Sequence, residues 1–173
     1  MKKIAAIFLI IISAYSVQAQ SDSTWKFKKL NSVNIELFGP AVLYSVNCGK
    51  IILNAKRFKT IGNIGASYFP NSKFDNGASF QTPIYLSELF SMDKNNHIEL
   101  GVGNKFFFAK NELYNTPFFR IGFRHQNPNR KFIYKLTIIP SVEKSTLAIL
   151  NPDGSSTNYQ LTFWVGFSFG YAF

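Results

Sequence analysis

Two histidines, one cysteine and a recurring set of charges are the residues of this 173-residue chain from which chemistry could be built. Histidine exchanges protons near neutral pH, but His97 and His125 stand in sequence without a paired Asp/Glu cluster to work with. Cys48 is the single cysteine, which leaves no intramolecular disulfide to form. It sits in an alternating segment, where it reads as a small apolar strand residue. No glycine-rich phosphate loop and no metal-ligand spacing occurs, so no catalytic residue, metal or cofactor is expected. What does recur is charge at every other position. Glu36, Glu99, Lys105, Arg120, Arg124, Lys131 and Lys135 fall on the side of their segments that also carries Gly and Ser. Charges that share a face with glycine fit a narrow, mutually paired interior better than a soluble exterior. Glu36, Glu99, Lys105, Arg120, Arg124 and Lys135 are therefore expected to form an interior ion-pair cluster, an electrostatic plug. A ligand or ion path through the same residues is the other reading.

The elements that carry these residues are strands. Beyond the first residues no helical period persists, and apolar residues alternate with polar or small ones. The last segment shows this best: Leu161, Phe163, Val165, Phe167, Phe169, Tyr171 and Phe173 form one face, and Thr162, Trp164, Gly166, Ser168, Gly170 and Ala172 the other. Shorter alternations occur around Val33–Leu37, Tyr44–Cys48, Ile64–Tyr68, Ile98–Val102, Phe119–Phe123 and Phe132–Ile138. The run from Phe80 to Phe90 is apolar without clear parity, which suggests a bulge at Pro83. The breaks fall at 38–41, 54–60, 70–77, 91–96, 110–116, 127–130 and 143–158.

Eight strands follow, an even number that lets a sheet close and leaves no unpaired edge in lipid. The fold class expected is all-β, an eight-stranded antiparallel up-and-down transmembrane β-barrel over residues 31–173. With the N-terminus periplasmic, the second, fourth and sixth breaks are periplasmic and the long seventh faces outside. His97 and His125 then fall at the periplasmic rim as polar aromatic anchors, away from outer-leaflet lipid. Pairing Gly101 with Gly122 places Glu99 opposite Arg124, both inward. Aromatic residues make up 17% of the chain, spread near the ends of apolar runs as interfacial girdles require.

Export is written at the start. Lys2 and Lys3 precede an apolar run from Ile4 to Ala14, and Val17 and Ala19 have the spacing of a signal-peptidase site. Residues 1–19 read as a cleaved signal peptide and 20–30 as a periplasmic segment. The apolar run falls short of the 18 or so residues a membrane helix needs. The formal charge is +10, and removing Lys2 and Lys3 leaves +8. Such an excess suits outer-membrane lipid headgroups and lipopolysaccharide phosphates, or a basic lumen with solvated loops. Nucleic acid is excluded as a partner for an exported chain without a binding motif, and the chain is expected to be monomeric.

Ser45-Val46-Asn47, Thr82-Pro83-Ile84, His97 through Gly103, Ile121 through Gln126 and Gly166 through Phe173 resemble a family of small, mostly uncharacterised outer-membrane barrel proteins of Gram-negative bacteria. The resemblance implies fold and location, not activity. It departs at Cys48-Gly49-Lys50, where that family tends to carry a bulky aromatic and a charged pair. The C-terminus resembles the insertion signal read by the barrel-assembly machinery, with Tyr171 and Phe173 as its aromatic pair and Ser168 where a glycine is usual. Three functional readings follow: a structural or surface-interaction barrel using the hairpin around 151–156, a narrow transport or lipid-handling barrel, and a lipid A-modifying enzyme.

Overall fold

The computed structural model describes residues 26–41, 43–72, 77–109, 112–145 and 158–173. The residues expected to form the signal peptide, positions 20–25 of the segment 20–30, and the expected hairpin around 151–156 lie outside these residues.

Eight strands follow one another in chain order: β1 Asn31–Leu37, β2 Tyr44–Asn54, β3 Phe58–Ser72, β4 Gly77–Ser91, β5 Asn96–Ala109, β6 Glu112–Gln126, β7 Phe132–Ser145 and β8 Asn158–Ala172. Each pairs antiparallel with the next, and β8 returns to β1 to close the barrel. The seam pairs Ser32 with Ala172 and Leu37 with Phe167. Its last rung is a reciprocal backbone pair: Asn31 N–H donates to the Phe173 carbonyl at 3.1 Å, and Phe173 N–H to Asn31 at 2.9 Å. Deleting Phe173 removes both bonds, roughly 1 kcal/mol each, together with the terminal aromatic. The expected result is loss of most folded barrel, read as the heat-modifiable band of membrane fractions on a gel. Undiminished folding of the truncated chain contradicts it.

The closed sheet is apolar outside and polar inside. Phe163, Val165, Ile121, Leu136 and Val102 are all more than half exposed, whereas Arg120, Arg124, Lys59 and Glu99 are at most 1% exposed. Water does not tolerate an apolar exterior of this extent; hydrocarbon does, and alternation of apolar-out with polar-in is how strands meet it.

Several expectations need correction. Pro83 sits in continuous pairing, opposite Lys105, with no bulge. The parity of β4 is obscured by what it carries: Pro83, Tyr85 and Leu89 point inward beside Gln81 and Ser87, while Glu88 points outward. The irregularities lie elsewhere, between Ile51 and Leu53 and between Phe69 and Ser72. At the first, three apolar residues in a row hide the register change: Ile51 is buried, and Ile52 and Leu53 are exposed. The β5–β6 register is displaced by two residues. Gly122 faces Glu99, and Gly101 faces Arg120. The reason is the turn, because Ala109 already pairs with Glu112 where a break to residue 116 was expected. A shift of two preserves which side faces in, so the inward set survives.

Candidate functional site

Among the described residues three layers of side chains occupy the lumen, and the middle one is ionic. It takes Glu36 from β1, Glu99 from β5, Arg120 and Arg124 from β6 and Lys135 from β7, each at the inward parity of its strand. Arg120 reaches across the barrel to a strand it is not paired with. Its Nη2 lies 2.5 Å from Glu36 Oε1, and its Nη1 donates to Oε2 at 3.3 Å. Arg120 Nε stands 3.3 Å from Glu99 Oε1. The second Glu99 oxygen faces Lys135 Nζ at 3.8 Å and Arg124 Nη1 at 3.9 Å. Ser87 Oγ donates to Glu99 at 3.0 Å, Asn47 Nδ2 to Glu36 at 3.3 Å, and Arg124 Nε to Gln126 Oε1 at 2.8 Å.

Glycines make room for this arrangement. A Cβ on Gly39 would stand 2.6 Å from the Glu36 carboxyl carbon, and one on Gly166 would press on Thr137 Oγ1 at 2.8 Å and on Glu36 Oε1 at 3.0 Å. A charged network in a low-dielectric interior is favourable only when its members are paired and hydrogen-bonded. Here two carboxylates serve three cations, which makes each carboxylate indispensable.

Towards the end away from Phe173 the filling turns apolar. Tyr85, Phe118 and Ile139 pack together against Trp164. The Tyr85 and Phe118 rings meet edge to face at 5.9 Å, and the Arg120 guanidinium carbon lies 4.7 Å from the Tyr85 ring centre. The β1–β2 connection folds over this layer. Phe38 takes a left-handed φ of 55°, and Pro40 and Ala41 beyond it are buried. Lys105 is seated at this level, where it lines a gap with Pro40, Thr116, Phe118, Ser141 and Trp164.

The end that carries the termini holds a second apolar layer, Ile51, Ile61 and Leu89, stoppered by Phe27 from the segment before β1. Phe27 is 3% exposed. Its backbone is clamped by Asn54, which accepts from Phe27 N–H at 3.2 Å and donates to the Phe27 carbonyl at 2.8 Å. Its ring meets His97 edge-on at 5.3 Å, and Lys59 Nζ lies 5.0 Å from the ring centre.

His97 is thus not the rim anchor expected of it: inward parity buries it inside the mouth, at 1% exposure. Its Nε2 faces the Gln126 carbonyl at 3.2 Å, and its Nδ1 the Ser91 hydroxyl at 2.9 Å. A carbonyl can only accept, so Nε2 carries the proton, and in the neutral ring Nδ1 accepts from Ser91. Lys59 Nζ donates to Ser91 Oγ at 2.8 Å and completes the relay. A histidine–serine pair is the geometry of an activated nucleophile, but this one lies beneath Phe27 and its hydroxyl is already engaged by Lys59.

His125 is outward and half-buried, with Nδ1 2.8 Å from Asn96 Oδ1 and its ring near Tyr134. Lys131 does not share the interior: it is exposed in the β6–β7 turn, 5.1 Å from the centre of the Tyr171 ring. Cys48 is exposed on the outer face. Among the described residues no group of three or more His, Cys, Asp or Glu side chains is placed to hold a metal ion.

Phe27 was the residue that sequence reasoning missed. The signal was present, since Lys26-Phe27-Lys28-Lys29 isolates one aromatic in a basic stretch. A large apolar side chain flanked by charges needs somewhere to go, and an open barrel mouth is the nearest apolar site.

No family model matches the sequence, and no curated protein matches it. Among solved structures the chain is similar to the crystal structure of Ail, the attachment invasion locus protein of Yersinia pestis. The identity is 10%, with 83% of this chain and 94% of that chain covered and a TM-score of 0.39. The same Yersinia pestis protein in complex with the heparin analogue sucrose octasulfate is matched at 16% identity, with the same coverage and a TM-score of 0.32.

Proposed function

We propose that this chain is an integral outer-membrane barrel with a closed lumen, serving a structural or surface-interaction role and not conduction. The observation that carries the reading is Arg120, which spans the lumen from β6 to Glu36 on β1 with apolar layers above and below. A solute path along the axis must break that pair and displace Phe27 and Tyr85 as well. The apolar exterior supports insertion in lipid. The outer membrane is supported by the leader-like residues 1–19 and by the terminal Tyr171 and Phe173, through which the barrel-assembly machinery is the expected partner. In this topology the termini and the turns 55–57, 92–95 and 127–131 face the periplasm, while the β7–β8 hairpin, paired as far as Ser145 and Asn158, reaches outward.

The test is electrical. Mature protein refolded into planar bilayers is expected to add no unitary current steps at physiological salt. Reproducible steps in proportion to the protein inserted would transfer the assignment to a narrow transport barrel.

A further inference from the structure

The basic excess of the chain is unevenly placed, and its position selects a partner. The segment before β1 carries Lys26, Lys28 and Lys29, the first two exposed. Arg57 is exposed in the β2–β3 turn, Lys94 in the β4–β5 turn, and Arg130 and Lys131 in the β6–β7 turn. Lys50 is exposed on the outer face of β2, just above its turn. All of these lie at the end of the barrel that holds the termini.

Among the described residues the turns of this rim carry one acidic side chain, Asp93, and that carboxylate is occupied within its own turn; Glu88, outward on β4 near the same end, is engaged by Thr60 Oγ1. The Asp93 carboxylate is the one held by local donors. It accepts from Asn96 Nδ2 at 2.7 Å and from the backbone N–H groups of Asn95 and Asn96 at 2.7 and 2.8 Å. The Asn96 side chain foremost, and then these amides, hold the Asp93 carboxyl below the usual carboxylate range. The opposite end shows no such excess in sequence. In the sequence breaks 70–77, 110–116 and 143–158, Lys73, Lys110 and Lys144 are matched by Asp75, Glu112, Glu143 and Asp153.

The cationic rim is also tied together by hydrogen bonds. Ser91 N–H donates to the Arg57 carbonyl at 2.8 Å, Gln126 N–H to Asn95 at 2.7 Å, and Ala172 N–H to Lys131 at 2.6 Å. Asn127 Nδ2 bonds Asn95 Oδ1 at 2.8 Å, tying two turns together. The turns therefore form a hydrogen-bonded ring. Directly above it lies an aromatic band in which Phe132 stacks on Phe169 at 5.7 Å and meets Tyr171 edge-on at 6.0 Å. Aromatic bands mark the headgroup level.

We infer that this rim is a docking surface for anionic glycerophospholipid headgroups in the periplasmic leaflet. The inference rests on the membrane reading and its orientation. A ring of cations spread around the whole circumference, immediately below an aromatic band, matches a plane of phosphates surrounding the barrel. A single polymer strand would engage only one side of such a ring. Clusters of Lys and Arg next to a membrane boundary attract anionic lipid and lose that attraction as salt screens it.

The experiment compares lipid association in vesicles. Mature protein is inserted in phosphatidylcholine bilayers containing trace spin-labelled phosphatidylglycerol or phosphatidylcholine, and the motionally restricted fraction of each is read by electron spin resonance. Wild-type protein is expected to prefer phosphatidylglycerol about threefold or more, falling towards parity in high salt. The variant Lys50→Gln, Arg57→Gln, Lys94→Gln, Arg130→Gln, Lys131→Gln is expected to show parity at low salt, with its heat-modifiable folded band intact. The pair Lys94→Gln, Arg130→Gln lies wholly in turns and is expected to lose part of the preference if the larger variant folds poorly. Replacing Lys73, Lys110 and Lys144 by Gln is expected to change nothing.

Equal restriction of both labelled lipids by wild-type protein overturns the inference while leaving the membrane barrel standing, as does a preference that survives the rim variants. Absence of any restricted lipid sinks the membrane reading, and the inference with it. Rim-dependent sedimentation with purified peptidoglycan, alongside equal lipid restriction, overturns it in favour of the wall polymer.

Discussion

Glu99→Gln is expected to lower the folding free energy of the barrel by about 3–5 kcal/mol, the range for removing one partner of a buried ion pair. Glu99 is the shared anion of the ionic layer, within 3.3 Å of Arg120, 3.9 Å of Arg124 and 3.8 Å of Lys135. Its amide isostere retains shape and can still accept from Ser87, so the change isolates charge. Afterwards three buried cations face Glu36 alone, and Glu36 is committed to Arg120 by two contacts. Lys135 and Arg124 are left without an anion, at 2% and 1% exposure. Equilibrium urea unfolding in vesicles measures the loss. The origin of the loss is checked by the double variant Glu99→Gln, Lys135→Met, which removes one orphaned cation and is expected to recover a third or more of it. A loss under about 1 kcal/mol would mean that the layer is hydrated or loosely paired, and the plug would have to be assigned to the apolar layers alone.

How much of this was legible beforehand depends on what each strand carries. In β8 the two faces differ so sharply, Phe163 against Thr162 and Phe167 against Ser168, that orientation follows from parity alone. The inward placement of Glu36, Glu99, Arg120, Arg124 and Lys135 was readable on the same grounds, because period-2 alternation leaves charge only one side to occupy. Register was harder. The Glu99–Arg124 neighbourhood depends on where a turn closes, and Asn115-Thr116-Pro117 looks like loop while pairing with Phe106, Lys105 and Asn104 as strand. Parity also fails where the lumen itself is apolar. Tyr85 and Leu89 belong inside because the filling is layered, and a rule that sends apolar residues to lipid cannot place them.

Glu88 inverts the rule on the same strand. It faces outward and accepts a hydrogen bond from Thr60 Oγ1, a local pairing that moderates the cost of a carboxylate on an apolar face. His97 was misplaced for a related reason: position 97 shares inward parity with Glu99, but its place at the strand end suggested a rim anchor. The ionic layer was therefore legible as a set of residues, while its closure by Phe27 and Tyr85 depended on packing that no local pattern reports.

That closure can be separated from the ionic layer by experiment. Phe27→Ala is expected to cost about 3 kcal/mol, towards the lower end of the range for truncating a buried aromatic. The ring packs on Ile51, Ile61 and Leu89 and against His97 and Lys59, although the Asn54 clamp on its backbone survives the change. The same substitution uncovers the terminal mouth, so water-soluble histidine reagents are expected to modify His97 in the variant and spare it in the wild type. Conductance is nonetheless expected to stay at zero, because Arg120 still spans the lumen to Glu36 one layer further in. Adding Arg120→Ala to Phe27→Ala removes the stopper and the crossbar but leaves Tyr85, Phe118 and Trp164 in place, so this pair is expected to stay silent too. Adding Tyr85→Ala to the pair removes the central ring of that remaining layer and is expected to give current steps that none of the simpler variants shows. Current from Phe27→Ala alone would mean that the ionic layer does not seal, and current from the pair that the layer of Tyr85, Phe118 and Trp164 does not. Either result ranks the layers by what they hold back, and only a lumen closed at all three levels predicts that the simpler variants stay silent while the triple variant opens.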